Sequence, residues 1–188
     1  MGVDKLSLPW GRKTMLERCF ETLLRSEVHE LIVVLSTRNK GARKLFPGEK
    51  VRIVINPLFK KGMSASIRRG LREIHSRCHG ILIALGDQPL LKTRTINALI
   101  HAFNQGEGGI IVPSFRGTRG HPVIFHRRFE RELSNLKGDI GGRSIIESHP
   151  EDVRVVPVKS AGVIKDIDTW PAYQSPNLAT PDLRREKR

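Results

Sequence analysis

With 188 residues, of which 38% are hydrophobic, the chain is long enough to bury one core, and its dense apolar runs exclude disorder throughout. No apolar run approaches the ~18–20 residues that cross a bilayer, and residues 1–9 contain no signal-peptide core, so neither a membrane nor a secretory protein is expected. The net charge of +14 suggests nucleic acid as a partner, but the basic residues are scattered without interleaved aromatic residues, so attraction for polyphosphate is the preferred interpretation and nucleic-acid binding is not expected.

Two kinds of segment alternate along the chain. Runs rich in β-branched residues predict strands over residues 31–35, 51–55, 81–85, 109–112, 123–125 and 153–158. Helical spacing of apolar residues predicts helices over residues 14–24, 64–74 and 93–103. This alternation is typical of βαβ units, so we predict an α/β fold whose sheet is covered by helices on both faces.

The two ends of the chain differ from the middle. Residues 1–5 form a loop-like segment with no strand before it, although a βαβ domain usually begins with a strand. Thr14 and Glu17, at the start of the first predicted helix, have the spacing of a capping box. We predict one domain over residues 1–173, followed by a basic, disordered tail over residues 174–188.

Cys19 and Cys78 both lie in segments with helical patterns. We interpret them as small, buried or half-buried side chains rather than as a disulfide or a metal site. Two reduced cysteines fit a cytoplasmic protein.

The predicted strand 81–85 runs into Gly86-Asp87-Gln88-Pro89. Ligands of open α/β sheets bind at the carboxyl ends of the strands, so Asp87 would lie at the mouth of the sheet, where its oxygens could hold a hard cation such as Mg²⁺. A turn in which Asp87 bonds to local amides is an equally good interpretation.

The predicted strand 51–55 runs into Asn56-Pro57 and then into a segment that reads Lys-Lys-Gly-Met-Ser-Ala-Ser over residues 60–66. Free amides at the start of a helix bind anions, and the lysines would add positive charge. An ordinary helix cap at Ser64 with a solvated lysine pair is the slightly favoured alternative.

Two further loops contain polar residues next to glycines. The loop over residues 117–122 enters a strand, and its His121 could donate to a phosphate or bond to a carbonyl group. In the turn over residues 136–143, Asp139 and Arg143 could pair with each other, or Arg143 could hold an anionic substrate group.

The segment 165–169 contains two acids one residue apart, Asp166 and Asp168. Side chains at this spacing point to the same side of an extended segment. One of them together with Asp87 would form a two-carboxylate metal site; the alternative is a surface turn that ends at Thr169.

Taken in order, these segments resemble the MobA-like nucleotidyltransferase family, in particular its molybdopterin cytidylyltransferase branch. The resemblance covers nearly the whole chain up to Tyr173. It rests on Lys-Leu-x-Leu-Pro and Lys-Thr-x-Leu-Glu within residues 5–17, Asn56-Pro57 with Gly62-Met63-x-x-Ser66, Gly86-Asp87-Gln88-Pro89, Gly120-His121-Pro122-Val123, Gly138-Asp139-x-Gly141 with Arg143, and Asp166-Ile167-Asp168-Thr169.

The resemblance implies a Rossmann-like three-layer α/β/α domain with a mostly parallel sheet. It also implies an enzyme that transfers CMP from CTP to the terminal phosphate of molybdopterin and releases pyrophosphate, with a molybdenum hydroxylase or its maturation factor as a further partner. It implies Mg²⁺ held by Asp87 and Asp168, with Lys5 contacting the phosphates as a third member of the catalytic set. The residues implied to line the nucleotide pocket are Lys5, Asn56, Gly62, Met63, Ser66, Gly86, Gln88 and Pro89, and those implied on the acceptor side are Gly120, His121, Asp139 and Arg143.

The chain departs from the family in two places. The family opens with a strand and a glycine-rich loop that ends in an arginine, whereas this chain begins at the Met-Gly of that motif, which leads us to expect a late-assigned start or a fragment. The position before Gly62 is usually acidic in this branch and is Lys61 here, which affects the choice of base or acceptor.

Other functions fit parts of the pattern. The same fold could transfer a nucleotidyl group to a sugar phosphate or another phosphorylated metabolite. The expected loss of the glycine-rich loop would suit a non-catalytic module that holds nucleotide or cofactor, and the charge of +14 would suit an electrostatic nucleic-acid binder.

Overall fold

The computed structural model describes residues 5–39, 42, 46, 48–106, 108–167 and 169–174. Its strands are β1 (Pro9–Trp10), β2 (Lys13–Thr14), β3 (Leu31–Ser36), β4 (Val51–Asn56), β5 (Gly80–Ile83), β6 (Ile110–Phe115), β7 (Thr118–Arg119), β8 (Val123–His126) and β9 (Val153–Pro157). Its helices are α1 (Met15–Leu24), α2 (Met63–Leu71), α3 (Thr93–Asn104), α4 (Glu130–Asn135), α5 (Arg143–Ser148) and α6 (Trp170–Gln174). No helix in these ranges is both long and apolar enough to cross a membrane.

The longer strands form two sheets. Strands β3 and β4 pair in parallel, and the second sheet has the order β5-β8-β6-β7, with β9 parallel to β6. Because β8 is antiparallel to both β5 and β6, strands β5, β6 and β9 all run in one direction and β8 runs against them. The α/β prediction with a mostly parallel sheet is therefore confirmed.

Helices cover both faces of the sheets. On one face, Phe20 of α1 packs on Leu35, while α3 packs on β6 and β8 through Leu99. On the other face, Leu71 of α2 joins Ile81 of β5 in the largest buried cluster, which also contains Leu133 of α4 and Ile145 of α5. This arrangement is the three-layer architecture that the resemblance implied.

The two sheets do not join in the described part of the chain, where β3 pairs only with β4 and β5 only with β8. Helix α1 nevertheless contacts both sheets, since Leu16 and Phe20 pack on β3 while Leu23 packs near Leu82 of β5. Neither β3 nor β5 contains a charged residue, although charges are the usual protection of an exposed strand edge. Within the described residues, no strand lies between the edges of β3 and β5, although both strands have the composition of interior strands.

Several boundaries differ from the sequence-based expectation. Strand β5 stops at Ile83, two residues early, because its partner β8 begins at Val123 and the preceding Pro122 has no N–H to continue the ladder. Helix α2 ends at Leu71 because Glu73 and Ile74 donate to carbonyl groups three residues back, in tighter turns. The hairpin β1–β2 was not predicted, since two-residue strands have no readable period.

The predicted capping box is present at the start of α1. The Thr14 hydroxyl accepts from the Glu17 N–H at 3.2 Å, and the Glu17 carboxylate accepts from the Thr14 N–H at 2.7 Å. The hydrogen bond from this backbone N–H is the main reason why the pKa of Glu17 lies below its ordinary value.

We expect Thr14→Ala to lower the free energy of unfolding by about 1 kcal/mol and the Tm by roughly 2–4 °C at pH 7. The ionised Glu17 carboxylate stabilises the helix start above the ordinary pKa of glutamate, and this contribution is lost as the pH falls through the lowered folded-state pKa. Most of that loss is common to both proteins, because the carboxylate accepts from the backbone N–H of residue 14, so the difference due to the hydroxyl should persist at low pH. Thermal denaturation followed by circular dichroism checks this, with Thr118→Ala in exposed β7 as the control. An equal loss in both variants would contradict the cap assignment.

Candidate active site

The turn after β5 is joined to the acidic segment near the end of the domain. The Ile167 N–H donates to the Asp87 carbonyl oxygen at 3.2 Å, although 80 residues separate the two along the chain. Ile167 is fully buried, which anchors the segment on which Asp166 lies. The backbone of the Asp87 turn therefore contacts the 166–167 segment. Asp168, the predicted second metal ligand, lies outside the described residues, so the predicted pair of carboxylates stays a prediction.

Gln88 links the same two segments through its side chain. It is only 1% exposed, and its Nε2 donates to Asp166 Oδ1 at 2.7 Å and to the Val163 carbonyl oxygen at 3.4 Å. Its Oε1 is buried and accepts no hydrogen bond from any described residue. An acceptor held this way in the interior is available to a donor or a cation outside the described residues.

The loop that contains Gly120 and His121 packs against this cluster. The His121 N–H donates to the Val163 carbonyl oxygen at 2.8 Å, and a Cβ added to Gly120 would lie 2.0 Å from the same oxygen. Burial lowers the pKa of His121, while Asp166 and Asp87 act in the opposite direction. The imidazole is therefore neutral at pH 7 and lies within the electrostatic influence of both carboxylates.

Cys19 lies beneath the turn at Asp87 and Gln88. Burial raises the pKa of its thiol to about 12, against the opposing effect of a hydrogen bond with the Gln88 backbone. The thiol stays protonated and does not act as a nucleophile near neutral pH. The interpretation of Cys19 as a small buried side chain is confirmed.

The amino-terminal residues approach the same turn. Lys5 begins a short 3-10 helix, Lys5–Ser7, and Leu6 in this helix packs beside Gly86, where an added Cβ would meet its side chain at 3.6 Å. The next residues of the turn, Gln88 and Pro89, are buried.

A second group of predicted residues surrounds the start of α2. Asn56, at the end of β4, is 3% exposed, and its Nδ2 donates to the Ser66 hydroxyl at 3.1 Å. Its Oδ1 accepts from the Leu58 N–H at 2.9 Å, which shapes the loop that follows β4. These contacts fix the end of the strand to the helix and bring Asn56 and Ser66 together, as expected for residues of one pocket.

The first amides of α2 are not free. The Met63 N–H donates to Asp139 Oδ1 at 2.9 Å, the Ser64 N–H to the Gly138 carbonyl oxygen at 3.3 Å, and the Ala65 N–H to the Gly62 carbonyl oxygen at 3.2 Å. The predicted cap at Ser64 is wrong: the helix begins one residue earlier, and the carboxylate of Asp139 accepts its first amide. Because these donors are occupied, attraction for an anion at this place comes from the lysines rather than from the helix end.

A surface cavity of about 510 Å³ lies at this junction, lined by Phe59, Lys60, Lys61, Gly62, Gly138 and Asp139. Leu58 and Ile140, which adjoin the lining residues in sequence, are 51% and 53% exposed. The cavity thus combines two cationic side chains with nearby apolar surface. It brings Gly62, predicted on the nucleotide side, together with Asp139, predicted on the acceptor side.

Arg143 lies at the start of α5 and is almost fully exposed. Its Nε donates to Glu147 Oε1 at 2.8 Å, one helical turn ahead. The alternative pairing of Arg143 with Asp139 is therefore wrong, because each side chain has a different partner.

The sequence did not indicate the partner of one residue of the site, and it did not single out another residue. Asp166, one of the two acids considered for the metal site, is the hydrogen-bond partner of Gln88. Arg68 donates to the Leu136 carbonyl oxygen and, at 3.2 Å, to the Ser64 hydroxyl. No local pattern distinguishes Arg68 from the other arginines on α2.

The chemistry available to this arrangement follows from its donor types. Asp87, Gln88 and Asp166 offer carboxylate and amide oxygens, the ligand types that hard divalent cations prefer. Gln88 Nε2 donates to Asp166, and both carboxylates act on His121. Lysines and a cavity lie at the start of α2. The first group has the ligand types of a divalent-cation site, and the second has the charge that attracts a polyphosphate.

A family model described as "MobA-like NTP transferase domain" matches residues 1–153 of the chain. Purine catabolism protein PucB of Bacillus subtilis is 30% identical over 182 residues, which span 92% of this chain and 87% of that protein. Nicotine blue oxidoreductase of Paenarthrobacter nicotinovorans is 29% identical, over 88% of this chain and 83% of that protein. A probable molybdenum cofactor guanylyltransferase of Methanosarcina mazei is 36% identical, over 52% of this chain and 44% of that protein.

The fold is also similar to solved structures. The crystal structure of Rv0371c from Mycobacterium tuberculosis superposes with a TM-score of 0.81 at 28% identity, over 95% of this chain and 90% of that one. A complex of that protein with manganese superposes with a TM-score of 0.78 at 28% identity, over 95% of this chain and 92% of that one.

Proposed function

Because this chain belongs to the MobA-like NTP transferase domain family, we propose that it is a cytoplasmic, divalent-cation-dependent enzyme that transfers CMP from CTP to molybdopterin. In this reaction an oxygen of the terminal phosphate of molybdopterin attacks the α-phosphorus of CTP, and the bond to the β-phosphate oxygen breaks with release of pyrophosphate. The observation that carries the proposal is the hydrogen-bonded junction of the Asp87 turn with the Asp166 segment. It supports a cation site formed by loops far apart in sequence.

The residues at this junction fit a hard divalent cation. They offer carboxylate oxygens and a buried amide oxygen, Gln88 Oε1, for which the described residues supply no donor. Asp87 and Asp168 would hold Mg²⁺, with Asp166 beside them and oriented by Gln88. When bound, the cation supplies charge neutralisation for the phosphate oxygens. The manganese complex of the similar Rv0371c protein supports a divalent cation as the class.

The protein itself needs to position the two substrates and to stabilise the charge on the phosphate oxygens, rather than to form covalent bonds with them. On the nucleotide side, Lys5 would contact the phosphates, and Gly86, Gln88 and Pro89 would approach the nucleotide through the turn after β5. Asn56, Gly62, Met63 and Ser66 would line the remainder of the nucleotide pocket, held together by the hydrogen bond between Asn56 and Ser66.

The acceptor would bind between the loops over residues 117–122 and 136–143. Gly120 permits close packing at the first loop, and neutral His121 can exchange a hydrogen bond with a phosphate without adding charge. Arg143, exposed at the second loop, would hold an anionic group of the acceptor. A molybdenum hydroxylase or its maturation factor would receive the product.

Two sequence features bear on the choice of nucleotide base. Cytidylyl transfer is favoured by the Gly-His-Pro-Val sequence over residues 120–123, whereas Lys61 replaces an acidic residue usual in that branch. The name of the Methanosarcina relative makes GTP the competitor to test. Transfer to a sugar phosphate and binding without catalysis are the other outcomes.

Calorimetric titration separates these outcomes. We expect CTP to bind in the presence of Mg²⁺ or Mn²⁺ with a Kd in the range of roughly 1 μM to 1 mM, the usual range for enzyme substrates, and to bind much more weakly in EDTA. Tighter binding of GTP would assign guanylyl transfer, and no binding of either nucleotide would refute the proposal.

Product analysis completes the test. Pyrophosphate release in the presence of CTP and molybdopterin, but not with a sugar phosphate, is the expected result. Binding of CTP without pyrophosphate release would identify a non-catalytic module instead.

A further inference from the structure

The loop over residues 136–142 is attached to the start of α2 by a set of backbone and side-chain contacts. Asp139 Oδ1 accepts from the Met63 N–H at 2.9 Å, and the Gly138 carbonyl oxygen accepts from the Ser64 N–H at 3.3 Å. These hydrogen bonds join residues that lie more than 70 positions apart in the sequence. Two consecutive amides at the start of the helix thus donate to acceptors in one distant loop.

Arg68, one turn into α2, adds a third attachment. Its guanidinium group donates to the Leu136 carbonyl oxygen and, at 3.2 Å, to the hydroxyl of the fully buried Ser64. The arginine therefore fixes the beginning of the 136–142 loop to the same turn of the helix that Asp139 caps.

The two backbones are also in direct contact at Gly62. This residue has φ +89°, and a Cβ added to it would lie 2.5 Å from the Gly138 carbonyl oxygen. Only glycine combines a positive φ with the absence of a Cβ, so only glycine allows this contact. Through it, the loop after β4 and the 136–142 loop form one wall of the cavity of about 510 Å³.

We infer that Asp139 is a positioning residue: its carboxylate caps helix α2 and thereby locks the 136–142 loop to the nucleotide loop. This inference deepens the proposed function, because it replaces direct contact of Asp139 with the acceptor, which the family resemblance implied. Asp139 Oδ1 accepts from the Met63 N–H in the protein without substrates. The carboxylate therefore positions the loop before either substrate binds.

The cap links the two halves of the site. Met63 and Ser66 belong to the nucleotide side, and Arg143 follows the 136–142 loop on the acceptor side. When the cap is lost, the loop and the helix start separate more often, and both affinities fall because the competent arrangement is less populated. A residue that only contacted the acceptor would leave CTP affinity unchanged.

The test compares Asp139→Asn with Asp139→Ala. Asparagine keeps an oxygen that can accept from the Met63 N–H and removes the negative charge, whereas alanine removes both. We expect Asp139→Ala to speed hydrogen exchange of the Met63 and Ser64 amides and to raise the Kd for CTP, each by about tenfold. Asp139→Asn should stay within about twofold of the unchanged protein, since asparagine caps helices as well as aspartate.

Glu151→Ala is the matched control, because Glu151 is another exposed acid and lies outside both loops. If Asp139→Asn and Asp139→Ala weakened CTP binding equally, the charge would matter rather than the cap, and the inference would be overturned. Unchanged hydrogen exchange of the Met63 and Ser64 amides in Asp139→Ala would also overturn it. If the unchanged protein binds no nucleotide, the proposed function fails, while the exchange measurements still decide whether Asp139 holds the loop. Should the alanine variant fail to fold, the asparagine variant alone decides, because charge-dependent loss of CTP affinity contradicts a cap.

Discussion

Replacing Asp87 by Asn should lower the rate of cation-dependent pyrophosphate release from CTP by at least about a hundredfold, the scale at which single charge-stabilising groups act in active sites. The carboxylate lies in the turn after β5, beside the segment of Asp166 and within electrostatic reach of His121. Asparagine has nearly the same shape and keeps the backbone contact with Ile167, so the expected loss reflects the missing charge. Pyrophosphate release with CTP and molybdopterin over a Mg²⁺ series measures it.

The cation dependence distinguishes a metal ligand from a structural carboxylate. A weakened ligand set should shift half-saturation to higher Mg²⁺ concentrations while the thermal unfolding curve without metal stays close to that of the unchanged protein. Glu151→Gln, which neutralises an exposed acid away from the site, should leave both measurements unchanged. A rate within a few-fold of the unchanged protein would exclude Asp87 from the metal site.

Local sequence signals predicted the elements of the fold well because those signals arise within one element. The apolar spacing of Leu16, Phe20 and Leu24 places one face of α1 on the sheet, and this face is the one that packs on β3 and β4. The capping box of Thr14 and Glu17 needs only residues three apart. Strands such as β6 were recognised because buried strands read as continuous apolar runs.

The site was predicted less completely because its decisive contacts join distant segments. The pairing of Gln88 with Asp166 spans 78 residues, and that of Asp139 with Met63 spans 76. Local partners are plausible for these residues in the sequence. For this reason Ser64 is the slightly favoured cap of α2, and Arg143 is one of two alternatives for the partner of Asp139. The family resemblance implies which residues belong to the site, but it does not distinguish contact with substrate from contact with the protein, as Asp139 shows.

The separation of the two sheets is another feature that depends on contacts between distant segments. Each of β3 and β5 is recognisable from its own composition, and the absence of charges in both is typical of interior strands. Their neighbours in the sheet follow only from the topology. Helix α1 contacts both sheets, and helix α2 packs on β5 through Leu71 and on β3 through Gly70, which lies beside Val34. The helices therefore connect the two sheets through side-chain packing, where no described strand joins them.

Gly120→Ala should disrupt the acceptor loop and destabilise the domain by about 2–3 kcal/mol, as expected for overpacking against a rigid neighbour. The added Cβ would lie 2.0 Å from the Val163 carbonyl oxygen, which also accepts from the His121 N–H, so the loop must move away from the segment that leads to Asp166. We expect the Tm to fall by roughly 6–10 °C and pyrophosphate release to be lost even below that temperature. Gly117→Ala is the matched control: its φ of +84° strains alanine by about 1–2 kcal/mol, but no atom lies within 4 Å of the new Cβ, so activity should persist. Equal losses of activity in both variants would mean that strain in the loop, rather than its contact with Val163, determines the geometry of the site.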